Sequence, residues 1–203
     1  MKPLCVDIHT HHPTAAVTLR TAGIHPWQAA ECRAADAASL RLLLGDVLAS
    51  AQAIGETGID MACGVDIEAQ ERLFSAHVQL ASESGMPVVI HCVRAFEPVM
   101  KILAGSQVRV VFHGFIGSAE QALRAVGRGY FLSFGMRSFR SPRTVAAMRS
   151  VPAGNLFLET DDDPTPIDEV YATACALLGT DVGRLAEITL NNYNRLLANG
   201  QLA

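Results

Sequence analysis

The sequence predicts an α/β fold, a single TIM-like (β/α) barrel in trimmed or distorted form, with residues 1–203 as one domain. Three observations predict it. Short β-rich runs alternate with longer alanine- and leucine-rich runs. The strand candidates are nearly continuous in apolar residues, as strands of a helix-covered parallel sheet are. Polar side chains recur at the carboxyl ends of separate strand candidates: His9, Glu56, His91, His113 and Asp161. In a barrel such ends converge on one mouth, whereas an open sheet spreads them along an edge. Eight strands usually need about 250 residues, with about 200 the lower limit, and this chain has 203. Seven strands are readable, which accounts for the trimmed form.

The strand candidates in order are Leu4–His9, Val17–Ile24, Ser50–Gly55, Val88–His91, Val108–His113, Tyr130–Phe134 and Asn155–Thr160. Helical segments between them include Gln70–Ser84, Ala95–Ala104, Ser118–Gly127 and Pro142–Ser150. The first carries Leu73, Phe74, Leu80 and Ala81 at helical spacing and stops at Gly85, with Pro87 beyond. Ser141 before Pro142 reads as an N-cap followed by proline at the first helical position. No low-complexity linker or internal repeat divides the chain.

Half of the residues are hydrophobic (50%) and 18% are charged, too much apolar surface for a disordered or collagen-like polymer. Sixteen basic residues against twenty acidic ones give a net charge of −4. Binding to nucleic acid through bulk charge alone is thereby excluded, and any such substrate needs a local source of positive potential. No stretch is long and apolar enough to span a membrane, and no charged-then-apolar leader is seen. The five cysteines are scattered without a CxxC pair. A reduced cytoplasmic compartment is the expected setting.

Asp7-Ile8-His9-Thr10-His11 closes the first strand, and side chains at i and i+2 of a strand share a face. His9 and His11 can therefore pinch one metal ion. Glu56 stands between Gly55 and Gly58, where a carboxylate can bridge two cations and glycine permits close backbone approach. His91 ends the run Pro87-Val88-Val89-Ile90, and His113 ends Val110-Val111-Phe112. Asp161 follows Leu156–Thr160, with Asp162 and Asp163 after it, Asp163 being read as a solvated loop acid. Any one of these has an ordinary structural explanation. Four imidazoles and two carboxylates at strand ends together form a mixed N/O donor set suited to Zn²⁺, Mn²⁺, Fe²⁺ or Mg²⁺.

In DIHTH, GIHPW, AIGETGID, PVVIH, VVFHGF, YFLSFG, LETDDDP and the closing Asn192 with Arg195-Leu196, the chain resembles the TatD family of metal-dependent deoxyribonucleases, among the amidohydrolase-like barrels. The motifs occur in family order over nearly the whole chain. The resemblance implies His9, His11, Glu56, His91, His113 and Asp161 as metal ligands, with two divalent ions (Mg, Mn or Zn) bridged by Glu56. Three departures stand out. His12–Ala22 is too short for the extra strand–helix unit of longer members. Val93 occupies the position where the family often has arginine, and the arginine here is Arg94. ETDDDP has one residue more before its proline than the commoner spacing.

The expected function is metal-dependent hydrolysis of phosphodiester bonds in DNA or other nucleic-acid ends, with Asp161 and Glu56 catalytic: Asp161 takes the proton of the attacking water and Glu56 fixes the ions. Two alternatives stay open. One is a hydrolase using the same site on a small ester, amide or phosphate monoester; the other is a non-catalytic metal-binding scaffold. No obligate protein partner and no membrane association are expected. His25 and Arg94 are candidate substrate contacts. His12 is read as a loop residue and His77 as a histidine at the core edge of its helix. Trp27 is expected to pack beneath its loop, base stacking being the alternative.

Overall fold

The structure, a computed structural model, describes residues 3–14, 17–34 and 36–198. In chain order its strands are β1 (Val6–Asp7), β2 (Val17–Thr18), β3 (Thr21–Ala22), β4 (Ala53–Asp60), β5 (Val88–Val93), β6 (Val110–Phe112), β7 (Phe131–Phe134) and β8 (Leu156–Leu158). The helices are α1 (Ala37–Ser50), α2 (Ile67–Ser84), α3 (Phe96–Leu103), α4 (Ala119–Val126), α5 (Met136–Phe139), α6 (Pro142–Ser150), α7 (Ile167–Leu178) and α8 (Val182–Leu197). This is the α/β class that the sequence predicts, and the chain falls into two compact units.

The first unit comprises residues 1–19 and 112–196. β1 pairs in parallel with β2, and β7 with β8. On its other side β1 runs into β8: the Ile8 N–H donates to the Leu158 carbonyl at 3.1 Å, and Thr10 forms a parallel bridge with Asp161. Ile8, Phe134, Phe157 and Leu158 are wholly buried around these strands. Tyr171 of α7 reaches β1, its hydroxyl within 3.1 Å of both the Val6 N–H and the Val6 carbonyl and 2.7 Å from the Thr189 hydroxyl. Asn192 of α8 donates to the carbonyls of Ala153 (2.8 Å) and Leu156 (2.9 Å), strapping the last helix to the start of β8. Arg195 adds a hydrogen bond to the Gly154 carbonyl and lies over the Phe131 ring. The closing Asn192 and Arg195 are thus structural.

The second unit comprises residues 20–111 and 197–203. β3 pairs with β4 and β4 with β5, all in parallel, and the Val88 N–H donates to Arg109 just before β6. α2 starts where Asp66 caps it by accepting from the Ala69 N–H, three residues before the expected start at Gln70, and ends at left-handed Gly85. Its buried face carries Leu73, Phe74, His77 and Leu80.

The pattern departs from expectation at three strands. Val17–Ile24 forms two strands, giving eight among the described residues rather than seven. Arg20 breaks the run, because its N–H bonds the Gln52 side chain and its carbonyl accepts from Gln52 and Ala53. β4 begins at Ala53 and extends to Asp60, so Glu56 lies inside a strand instead of after one. A shift of register between Ile54 and Thr57 carries the strand through Gly55, the expected end of the candidate strand. β5 likewise extends past His91 to Val93. Residues 15 and 16 of the short His12–Ala22 segment, with Lys2 and Ala35, lie outside the described residues.

Candidate metal centre

In the first unit, backbone pairing sets the donors. The Asp161 N–H donates to His9 and the His11 N–H donates to Asp161, each at 3.0 Å, so the bridge aligns the HxH pair with the acid. His9 Nε2 and His11 Nε2 lie 3.6 and 3.4 Å from Asp161 Oδ1. Asp161 adopts a left-handed φ of 55°, an uncommon conformation for a residue with a Cβ and one that clusters at functional sites. The His113 ring stands 4.2 Å from that of His9, centroid to centroid, and its Nδ1 is 3.6 Å from Glu159 Oε1. His9, His11 and Asp161 offer ligand atoms all within 4.8 Å of one another, as do His113, Glu159 and Asp161. Asp7 of the DIHTH run turns away from this group. Its carboxylate accepts from the Thr160 N–H and hydroxyl at 3.0 and 2.7 Å, and burial pushes its pKa up to about 6.

Glu159 was not singled out in the sequence. It lies two residues before Asp161, so the i, i+2 rule that joins His9 to His11 also joins these acids. Burial raises the Asp161 pKa and the Glu159 charge raises it further, against the pull of His113 and His9. Burial acts on Glu159 too, but the His113 and His9 imidazoles that face it hold its pKa below the usual range. Two neighbouring carboxylates that repel one another, Glu159 buried and Asp161 half-buried, faced by imidazoles, form a donor set that a divalent cation fits.

In the second unit, β4 and β5 place Glu56 against His91, whose Nδ1 is 2.7 Å from Glu56 Oε1 and whose Nε2 is 3.2 Å from Asp60 Oδ2. A neutral imidazole carries one N–H and cannot donate to two carboxylates, so this arrangement also suits an added cation. His25 completes the group: its Nε2 lies 3.4 Å from Glu56 Oε1 and its ring 4.6 Å from that of His91. His25, Glu56 and His91 offer ligand atoms within 4.8 Å of one another. The close β4–β5 approach requires glycine, since a Cβ on Gly58 would stand 2.1 Å from the His91 carbonyl oxygen and one on Gly55 2.5 Å from that of Val89.

Asp60, also missed in the sequence, braces this group. Gln70 grips its backbone from both sides, accepting from the N–H at 2.8 Å and donating to the carbonyl at 3.1 Å. Oδ1 accepts from the Ala62 and Cys63 N–H groups, and Oδ2 from the Trp27 indole at 2.7 Å. Burial works to raise the Asp60 pKa, but these donors with His91 bring it below the usual value. A carboxylate on the far nitrogen of a ligating histidine fixes ring orientation.

The remaining candidates place simply. His12 is exposed. His77 is wholly buried rather than at the core edge: Nδ1 faces the Leu73 carbonyl at 2.8 Å and Nε2 accepts from the Ile24 N–H at 3.0 Å, which pins the loop leading to His25. Arg94 is exposed just past β5, with a left-handed φ of 55°. Asp162 pairs with Arg137 at 2.9 Å. Trp27 does not pack beneath its loop; 61% of its surface is exposed. The indole N–H is drawn to Asp60 instead, which holds the ring out from the core.

The model of the TatD-related DNase family matches residues 10–198. The chain belongs to that family. It is 30% identical over 202 residues to the 3'-5' ssDNA/RNA exonuclease TatD of Erwinia tasmaniensis, covering 87% of this chain and 76% of that protein. It is 34% identical over 154 residues to the protein of the same name in Cronobacter sakazakii, covering 70% of this chain and 56% of that one. Among solved structures, the TatD homologue YjjV of Escherichia coli K12 superposes with a TM-score of 0.77 at 27% identity, covering 90% of this chain and 78% of that one. The fold is the TIM-barrel-like α/β fold of these neighbours.

Proposed function

We propose that the chain is a divalent-metal-dependent nuclease that hydrolyses phosphodiester bonds at the ends of DNA or RNA strands. One observation carries the reading: the TatD motifs fold into two clusters of histidine and carboxylate donors, one in each unit, and relatives of the same family are named as ssDNA/RNA exonucleases. His9, His11, His113 and Asp161 would hold one ion, and Glu56 and His91 a second, with Mg²⁺, Mn²⁺ or Zn²⁺ as the candidates. When bound, such ions acidify water and stabilise charge on the attacking and leaving oxygens. The protein's part is to fix the donors. Asp161, about one-fifth exposed at its side chain, accepts the proton of the attacking water at a carboxylate oxygen, and its left-handed backbone aims that oxygen at His9 and His11. Glu56 would hold an ion with its carboxylate, whose Oε1 His91 and His25 both face. The local positive potential of the ions replaces the basic surface that a chain of net charge −4 lacks.

The test is hydrolysis of end-labelled single- and double-stranded DNA and of RNA across Mg²⁺, Mn²⁺ and Zn²⁺. Metal-dependent release of nucleotides is expected. No phosphodiester cleavage with any of the three ions, by protein shown to have bound them, would overturn the reading.

A further inference from the structure

Trp27 is the one tryptophan in the chain, and it stands exposed beside the donors of the second unit. It sits in a short 3-10 turn, Pro26–Gln28, that His25 caps by accepting from the Trp27 N–H. Two contacts fix its ring. The indole N–H donates to Asp60 at 2.7 Å, and the His25 ring meets it edge-on at 4.6 Å with an interplanar angle of 82°. Its centroid is 6.4 Å from that of His91. The largest apolar side chain available is thus left 61% exposed next to a candidate metal ligand, with its torsional freedom already spent on Asp60 and His25. Aromatic rings held this way serve recognition, because little further entropy is lost when a ligand covers them.

We propose that Trp27 is the platform on which a nucleobase next to the scissile phosphate stacks, and that it makes the enzyme select unpaired bases. The proposal rests on the nuclease reading above and adds the residue that grips the substrate. Net charge agrees with it: a chain of −4 has no basic excess to hold a polynucleotide by bulk charge, so a contact to the bases adds grip. Stacking accepts any base through its π-face. A base inside a duplex is already covered on both faces, so only a single-stranded or frayed end can lie on the indole. Because Asp60 Oδ2 takes both the indole and His91 Nε2, the platform and the histidine share one anchor, which keeps the gripped base in register with the metal donors.

The single tryptophan makes the test direct. Titrating the metal-loaded protein with a short phosphorothioate-linked oligodeoxyadenylate should quench its tryptophan fluorescence, and the same backbone with abasic sugars should not. Trp27→Ala should raise KM for single-stranded DNA about 5- to 150-fold, the range expected for losing one stacked base. Its metal content should match the wild type. Trp27→Phe, which keeps a ring and loses the N–H, should fall between the two. Equal fluorescence responses to the two probes, or an unchanged KM in folded Trp27→Ala, would overturn the proposal. The two readings fail separately. Base-dependent quenching without hydrolysis of any nucleic acid removes the nuclease and keeps the platform; hydrolysis with base-independent quenching removes the platform alone.

Discussion

At the scale of single residues, the two central carboxylates have separable jobs. Asp161→Asn keeps the side-chain size and one oxygen ligand but removes the base, and base help of this kind contributes about 10²–10⁴-fold. We expect it to retain most of its metal and to lose turnover by about that factor, with no rescue by added metal. Glu56→Ala should instead lower metal content along with rate. Metal analysis and kcat measured side by side separate the two, and wild-type kcat in Asp161→Asn would remove it from the mechanism. His77 makes a second prediction, about pH. Burial drops its pKa from 6.5 to about 4 while Nε2 holds the Ile24 N–H. Above about pH 6.5 the ring is neutral both folded and unfolded, and the stability is fully present. As the pH falls from there towards 4 the unfolded chain takes up a proton that the folded one refuses, so stability is lost. Between pH 7 and 5 this loss is roughly 2 kcal/mol. Urea unfolding should show that extra loss in the wild type and lack it in His77→Gln.

At the scale of elements, α8 closes the first unit through side chain to backbone bonds rather than through an apolar stripe alone. Asn192→Ala removes a hydrogen bond from each of the Ala153 and Leu156 carbonyls and leaves that of buried Leu156 short of a donor, at a cost of about 1–3 kcal/mol. Thermal unfolding should fall by several degrees while metal content stays at the wild-type level; loss of metal with unchanged melting would contradict a strapping role. Much of this architecture was legible in the sequence. Ser141-Pro142 and Gly85 marked true helix ends, since caps act locally. The apolar runs before His91 and His113 were true strands. The errors arise where local signals mislead. The strand read as ending at Gly55 runs on to Asp60, and in it Gly55 and Gly58 give the close backbone approach expected of them, making room for the carbonyls of β5. Ser50 read as the start of a strand, although it ends α1, because alanine flanks it on both sides of the boundary. The donors divide in the same way. Glu159 could have been found from its spacing to Asp161. Asp60 could not, because its role depends on Trp27, Gln70 and His91, which only the tertiary fold brings to it.

At the scale of the whole molecule, the donor clusters bear on stability as well as chemistry. Each gathers carboxylates and imidazoles that a bound cation would reconcile, so metal should bind the folded chain and not the unfolded one. Removing metal with a chelator is expected to lower the melting temperature, and restoring Mn²⁺ or Zn²⁺ at 100 times its dissociation constant should return about 2.7 kcal/mol for each site filled. Calorimetry with and without chelator checks this, and coincident melting curves would count against both clusters. The crowding at Gly58 has a consequence for anyone who surveys this chain by exhaustive substitution. A side chain there meets a main-chain oxygen at 2.1 Å, which no rotamer can avoid, so alanine, aspartate and tryptophan would all fail alike. Such a column of uniform intolerance, lying two residues from Glu56, mimics the signature of a reacting group. What separates the two is the kind of failure: a variant of a reacting residue, such as Asp161→Asn, still folds and binds metal while losing turnover, whereas a position reserved for empty space loses the fold with every side chain, without regard to its chemistry.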